Sequence, residues 1–309
     1  MTAVAAGFLA FGCDDGGHTH EHSDTHEHSD ATGGDAHDHG EEDQAVTLLF
    51  TAAVGAETAA CGQTYAGVGA TGATVEIRDL RFFVSDVELL TAGGGAVPLT
   101  MDVASPWQDG QVALVDLEDG TAGCAESGNS ATNAEITGTA PHGDYTGLRF
   151  RVGVPESANH QDTGKAVPPL DVTPMFWVWQ SGYKFLRVDL GNGTAPPSDR
   201  WNIHVGSTGC ASASPVTAPE QACAKPNRPL VELSGFDPRV GTIVLDVAAL
   251  VAGADVTANA TDSAPGCMSG PPDAADCGAV FTNLGLDFAA GDCANGCAGQ
   301  SAFSAVGAR

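Results

Sequence analysis

Basic residues are scarce in this chain: 12 Lys+Arg stand against 39 Asp+Glu, a formal net charge of −27. That sign is wrong for gripping a phosphate backbone or docking on anionic lipid, so nucleic acid is excluded as a partner. It suits a soluble protein that concentrates cations near its surface. Catalytic signatures are missing too. There is no Gly-x-Ser-x-Gly elbow, no P-loop, no His-Glu-x-x-His and no Cys-x-x-Cys-His haem attachment, so nothing marks an autonomous enzyme. Cys-x-x-Cys knuckles are absent as well, and the nine cysteines read as disulfides of an oxidising compartment rather than a zinc cluster. Aromatic residues make up only 6% of the chain, so a place where they gather carries information.

What is present begins with a short apolar run, Thr2 to Gly12, ending at Cys13. It has the length of a signal-peptide core and is too short to span a bilayer. Leu9-Ala10-Phe11-Gly12-Cys13 resembles a bacterial lipobox, which would make Cys13 the lipidated first residue of a mature protein, although no basic residue precedes it. Residues 1–13 are therefore read as a signal-like segment. Residues 14–43 follow as a low-complexity tract with His18, His20, His22, His26, His28, His37 and His39. It holds 11 acidic residues and no basic one, so it cannot bury enough apolar surface to fold and is expected to be a disordered tether. Neutral imidazole is a good ligand for Cu, Zn and Ni, which makes the tract a loose collector of several ions.

From residue 44 to 309 the pattern changes to short apolar runs separated by Gly, Asp and Asn, in a chain with 40 Gly and 17 Pro. Strands are expected at 46–50, 75–80, 81–89, 96–101, 112–117, 147–154, 175–179, 183–190, 201–205, 231–233 and 242–247, with single helical turns near 248–251 and 281–286. Runs this short argue for one all-β domain, an antiparallel sandwich or barrel with disulfide-stapled loops. Of the roughly one hundred connectivities that eight body cysteines allow, the short loops Cys210–Cys223 and Cys267–Cys277 are easiest to close. That leaves Cys61–Cys124 and Cys293–Cys297.

Several segments together resemble one family. They are DLRFFVSDV (79–87), WQDGQVALVD (107–116), TGLRFRVGVP (146–155), NHQD (159–162), PPL (168–170), MFWVWQSGYKFLR (175–187) and HVGSTGC (204–210). In this order they look like the MbnP-like proteins, also called metallo-mystery pair four-Cys motif proteins. The resemblance implies a copper-binding protein of the periplasm or surface of a Gram-negative bacterium, in copper acquisition or homeostasis. It also implies a MauG-like di-haem cytochrome c peroxidase partner that oxidises a tryptophan to kynurenine, whose new amine helps to bind the metal.

The body has three histidines. His142 sits in a turn-like stretch and is expected to be exposed. His160, matching the NHxD motif, and His204 near a strand end are the candidate copper ligands, since copper accepts two imidazoles and a softer third group. If 175–179 is extended, Met175, Trp177 and Trp179 share one face, which makes Met175 a candidate thioether ligand or core filler. The candidates for oxidation are, in order, Trp179, Trp177, Trp107 and Trp201. By the same parity Trp201 and His204 point to opposite faces of their strand. Lys184 and Arg187 are read as structural charges. Two other functions compete: a Zn or Ni scavenger working through the histidine tract, and a structural surface protein.

Overall fold

The computed structural model describes residues 42–194 and 199–307. The signal-like segment with Cys13 and all seven tract histidines lie outside the described residues.

Two sheets face each other. The smaller runs in the order Phe303–Val306, Thr242–Asp246, Asp43–Val54, Glu135–Pro141 and Thr100–Met101. The larger is built on one 19-residue strand, Ala73–Thr91, which pairs with Leu186–Gly191, Val112–Asp116 and Tyr145–Val152. Arg200–Val205 adds outside Leu186–Gly191, and Leu230–Ser234 outside Tyr145–Val152. Four phenylalanines lock the sheets together: Phe50 and Phe303 from the smaller sheet meet Phe82 and Phe150 edge to face at centroid distances of 5.6 to 5.9 Å. All four are buried, which is the packing expected of a sandwich core.

The all-β reading holds, with two refinements. The two strands expected at 75–80 and 81–89 are one. Its centre, residues 79–85, is buried on both faces, because Leu80, Phe82 and Val84 join the inter-sheet core while Phe83 joins a second cluster on the outer face. That outer cluster also takes Val112, Leu114, Val154, Ala158, Leu170, Met175, Tyr183 and Phe185, so residues 154–185 form a third layer over the large sheet. Pairing is mainly antiparallel, but Asp43–Val54 runs parallel to Thr242–Asp246.

The expected strand at 175–179 is absent. Thr173–Met175 is a short 3-10 turn, and Phe176 and Tyr183 then form an isolated bridge around a tight loop. Pro174 favours the helical turn by its fixed φ. Gly182, at φ +73°, supplies the left-handed residue that returns the chain, and a side chain there would fall on that of Asn159. The helical turn expected near 248–251 is Val247–Leu250, capped by the Asp246 carboxylate. The one near 281–286 is the end of a longer helix, Ala274–Asn283.

All four disulfides form as Cys61–Cys124, Cys210–Cys223, Cys267–Cys277 and Cys293–Cys297.

Candidate metal centre

The outer face of the large sheet, opposite the core, carries charge. Strand alternation sends Trp201, Ile203 and Val205 into the inter-sheet core and leaves His204 on the other side, as parity requires. His204 lies opposite Arg187 in the ladder. Its Nε2 is 2.6 Å from the Asp189 carboxylate. Asp189 also accepts from the Arg187 guanidinium at 2.9 and 2.6 Å. Arg187 reaches on to Asp79 at 3.1 Å, and Asp79 pairs with the fully buried Arg81. Ser127 ties the two halves, accepting from Arg187 at 2.9 Å and donating to Asp79 at 3.0 Å.

Burial drives His204 below its ordinary pKa, and Asp189 only partly offsets it. Burial would raise Asp189, but its hydrogen bond with His204 and the neighbouring Arg187 charge outweigh this and hold it well below the usual carboxylate range. A neutral His204 therefore donates its Nε2 proton to Asp189 and keeps its lone pair on Nδ1. No described residue hydrogen-bonds that Nδ1. Such a carboxylate–imidazole pair is the common support of a metal-ligating histidine. Lys184 belongs to the same face: burial, then Arg187, lowers it to about 8, and its Nζ donates to the Pro174 carbonyl at 2.8 Å. Lys184 and Arg187 are thus structural, both binding the third layer through Pro174.

His160 is set up in the same way from the third layer. It follows the one-turn helix Glu156–Asn159. Its Nδ1 donates to the Trp179 carbonyl at 2.8 Å, so Nε2 keeps the lone pair. Around Nε2 stand the Asn159 amide at 3.2 Å, Cys223 Sγ at 3.3 Å and Glu156 Oε1 at 3.5 Å. Asn159 is a hub: its amide donates to Ser207 Oγ at 2.7 Å and its carbonyl accepts from Tyr183 N at 2.9 Å.

The tryptophan loop spans both histidines. Trp179 holds His160 through its carbonyl, and the half-buried Trp177 ring lies 6.4 Å from the His204 ring, centroid to centroid. Gly206 lets the indole in, because a Cβ there would come within 2.6 Å of Trp177 Cζ3. Trp177 opens onto a cavity of about 510 Å³ shared with Gln180, Ser207, Cys210 and Met268. Ser269, at φ +62°, fixes the Met268 loop by donating to the His204 carbonyl at 3.0 Å.

The other candidates lie elsewhere. Met175 is fully buried in the outer cluster, where it acts as core filler. Trp201 is sealed in the main core with its Nε1 donating to Ala258 O at 3.2 Å. Trp107 packs, partly buried, against the outer cluster. His142 is exposed. Of the orienting residues, Asn159 entered only as part of the NHxD motif, and Asp189 and Glu156 went unread in the sequence. Asp189 had a signal, an acid in a run otherwise apolar on both sides of Arg187.

Two ligand-like triads include disulfide sulfurs, His160–Cys210–Cys223 and Cys61–Glu118–Cys124, and neither offers thiolate donors while its bridge is intact. Each imidazole is held through one nitrogen, His204 by Asp189 and His160 by the Trp179 carbonyl, and the remaining nitrogens, His204 Nδ1 and His160 Nε2, are donors of the kind that copper accepts.

The MbnP family matches residues 43–269. Among solved structures, MbnP from Methylosinus trichosporium is similar, with a TM-score of 0.74 and 34% identity over 86% of this chain and 99% of that one. No curated protein matches. On this evidence the chain belongs to the MbnP family.

Proposed function

We propose that the protein is an exported copper-binding protein whose body holds one copper ion beside Trp177, on His204 and His160. The observation that carries this reading is the His204 arrangement. Its Nε2–H is engaged by Asp189 at 2.6 Å, its Nδ1 is left as a lone pair, and the Trp177 ring faces it. Bound copper would supply a redox-active soft cation. The chain's own residues fix the tautomers and hold the loop in place.

Trp177 replaces Trp179 as the first candidate for oxidation. Trp179 contributes its backbone to His160, whereas Trp177 presents its ring to His204 and to an open cavity. Cleavage of the indole C2–C3 bond adds two oxygen atoms from the peroxidase's oxidant. Hydrolysis then releases C2 as formate and frees an aniline amine. At Trp177 that amine would give the third donor. The test is peptide mass spectrometry over Trp107, Trp177, Trp179 and Trp201 after co-production with the di-haem peroxidase, with copper titration of the product. Kynurenine at Trp177 and about one tightly bound copper in a chain lacking residues 14–43 are expected. Modification at Trp107 or Trp201, or tight copper lost with the tract alone, refutes the assignment.

A further inference from the structure

The Cys210–Cys223 bridge stands directly on the lone-pair side of His160. We infer that it is a redox gate over a second metal site. With the bridge intact the site is closed. When it is reduced, Cys210, Cys223 and His160, with Glu156 as fourth donor, take a tetrahedral borderline or soft cation such as Zn²⁺ or Cu⁺.

The donors already sit near the spacing such an ion needs. His160 Nε2 is 3.3 Å from Cys223 Sγ and 3.5 Å from Glu156 Oε1, and one donor atom from each of His160, Cys210 and Cys223 lies within 4.8 Å of the others. Tetrahedral bonds of zinc-like length put N and S about 3.5 Å apart, N and O about 3.3 Å, and two thiolates about 3.8 Å. Only the sulfurs, 2.02 Å apart while bonded, have to separate. They can do so locally, because none of residues 211–222 between them is buried. They cannot drift far, because Thr208 and Lys225, just outside the pair, exchange both backbone hydrogen bonds at 2.9 and 3.0 Å. His160 itself is pinned through Nδ1 to Trp179. Access exists as well, since Cys210 borders the open cavity beside Trp177.

The chemistry balances with a dithiol reductant. Its thiolate attacks one sulfur, the Cys210–Cys223 bond breaks and the reductant leaves as its own disulfide, having passed two electrons and two protons to the cysteines. The incoming cation then displaces both thiol protons to solvent. This site shares His160 Nε2 with the copper site proposed above, since Nδ1 is held by Trp179, so one chain cannot fill both through that nitrogen. The double variant Cys210→Ser, Cys223→Ser keeps His160 and His204 and so separates failure of one reading from failure of the other.

The test uses the full-length chain, reduced with dithiothreitol under native conditions and freed of reductant, with Co²⁺ as the probe. Alkylation mapping identifies the opened bridge, and circular dichroism follows the fold. The expected result is selective opening of Cys210–Cys223 with the sheet signal unchanged. In a Cys13→Ser background, which removes the thiol beside the tract, one Co²⁺ per chain should then give a thiolate-to-cobalt charge-transfer band, which imidazoles of the tract cannot produce. The band should vanish in the double variant Cys210→Ser, Cys223→Ser, and His160→Gln should weaken binding at least tenfold. The inference is overturned by any of three results: no band once both thiols are shown to be free, a band that survives in the double variant, or opening of this bridge only when the fold is lost.

Discussion

Replacing Asp189 by Asn separates the electrostatics of the candidate copper site from its shape. The wild-type carboxylate serves two donors at once, His204 Nε2 at 2.6 Å and the Arg187 guanidinium at 2.6 and 2.9 Å. An amide of the same size has one oxygen and one NH₂. Arg187 offers only donors, so the amide oxygen turns to it and the NH₂ turns to His204. The imidazole then accepts at Nε2 and must carry its proton on Nδ1, the nitrogen proposed to hold copper. Loss of such a supporting carboxylate typically costs 10–100-fold in metal affinity, about 1.4 to 2.7 kcal/mol. Folding stability should fall by about 1–3 kcal/mol, since the Arg187 ion pair becomes an ion–dipole bond and the His204 bond becomes neutral, while Arg187 retains Asp79 at 3.1 Å. Imidazole ¹⁵N NMR reads the tautomer, and competitive Cu⁺ titration of chains lacking residues 14–43 reads affinity. An unchanged tautomer with unchanged affinity in Asp189→Asn would refute the reasoning, whereas a switched tautomer with unchanged affinity would remove His204 from the ligand set.

Three further outcomes follow. Gly206→Ala puts a methyl against both the Trp177 ring and the Tyr183 carbonyl and should cost about 1–3 kcal/mol, seen as a changed tryptophan emission and a lower denaturant midpoint. Phe82→Ala, which removes a ring touching both Phe50 and Phe303, should cost about 3–5 kcal/mol in chemical denaturation, and a loss below 1 kcal/mol would contradict the packing described. Burial raises the Asp116 carboxyl to about 7, more than Arg81 lowers it, so the folded state holds that proton where the unfolded chain has released it. Its contribution is full at acidic pH and is lost as pH rises toward 7. Stability of wild type relative to Asp116→Asn should therefore decline from pH 5 to pH 8, and a rising difference would reverse the sign of the argument.

The strands were legible because most of them alternate or run apolar between glycines and acids, as at Asp43–Val54 and Arg200–Val205. The site was legible only in part. His160 and His204 stand out by rarity, and parity placed His204 away from Trp201. The tryptophan loop was misread because Trp-Val-Trp alternates like a strand, while the geometry is set by Pro174 and Gly182 at its ends. The strand through Asp79 and Arg81 looked interrupted because a polar face normally meets water. Here it is covered by a third layer, and no local pattern announces a layer contributed by residues 154–185. Asp189 and Ser127 meet Arg187 from positions 60 residues apart for the Ser127–Arg187 bond, so their partnership exists only in three dimensions.

The first body strand, Asp43–Val54, is paired in two successive stretches, Asp43–Leu49 with antiparallel Glu135–Pro141 and Leu49–Ala53 with parallel Thr242–Asp246. Whatever pulls on the chain from its N-terminal side pulls on this strand lengthwise. Its ladder bonds lie across that direction, so they are loaded together in shear and cannot be peeled open one after another. Load entering at Asp43 is met first by the Glu135–Pro141 ladder and, from Leu49 onward, by the Thr242–Asp246 ladder, so the two ladders share it in sequence along the strand.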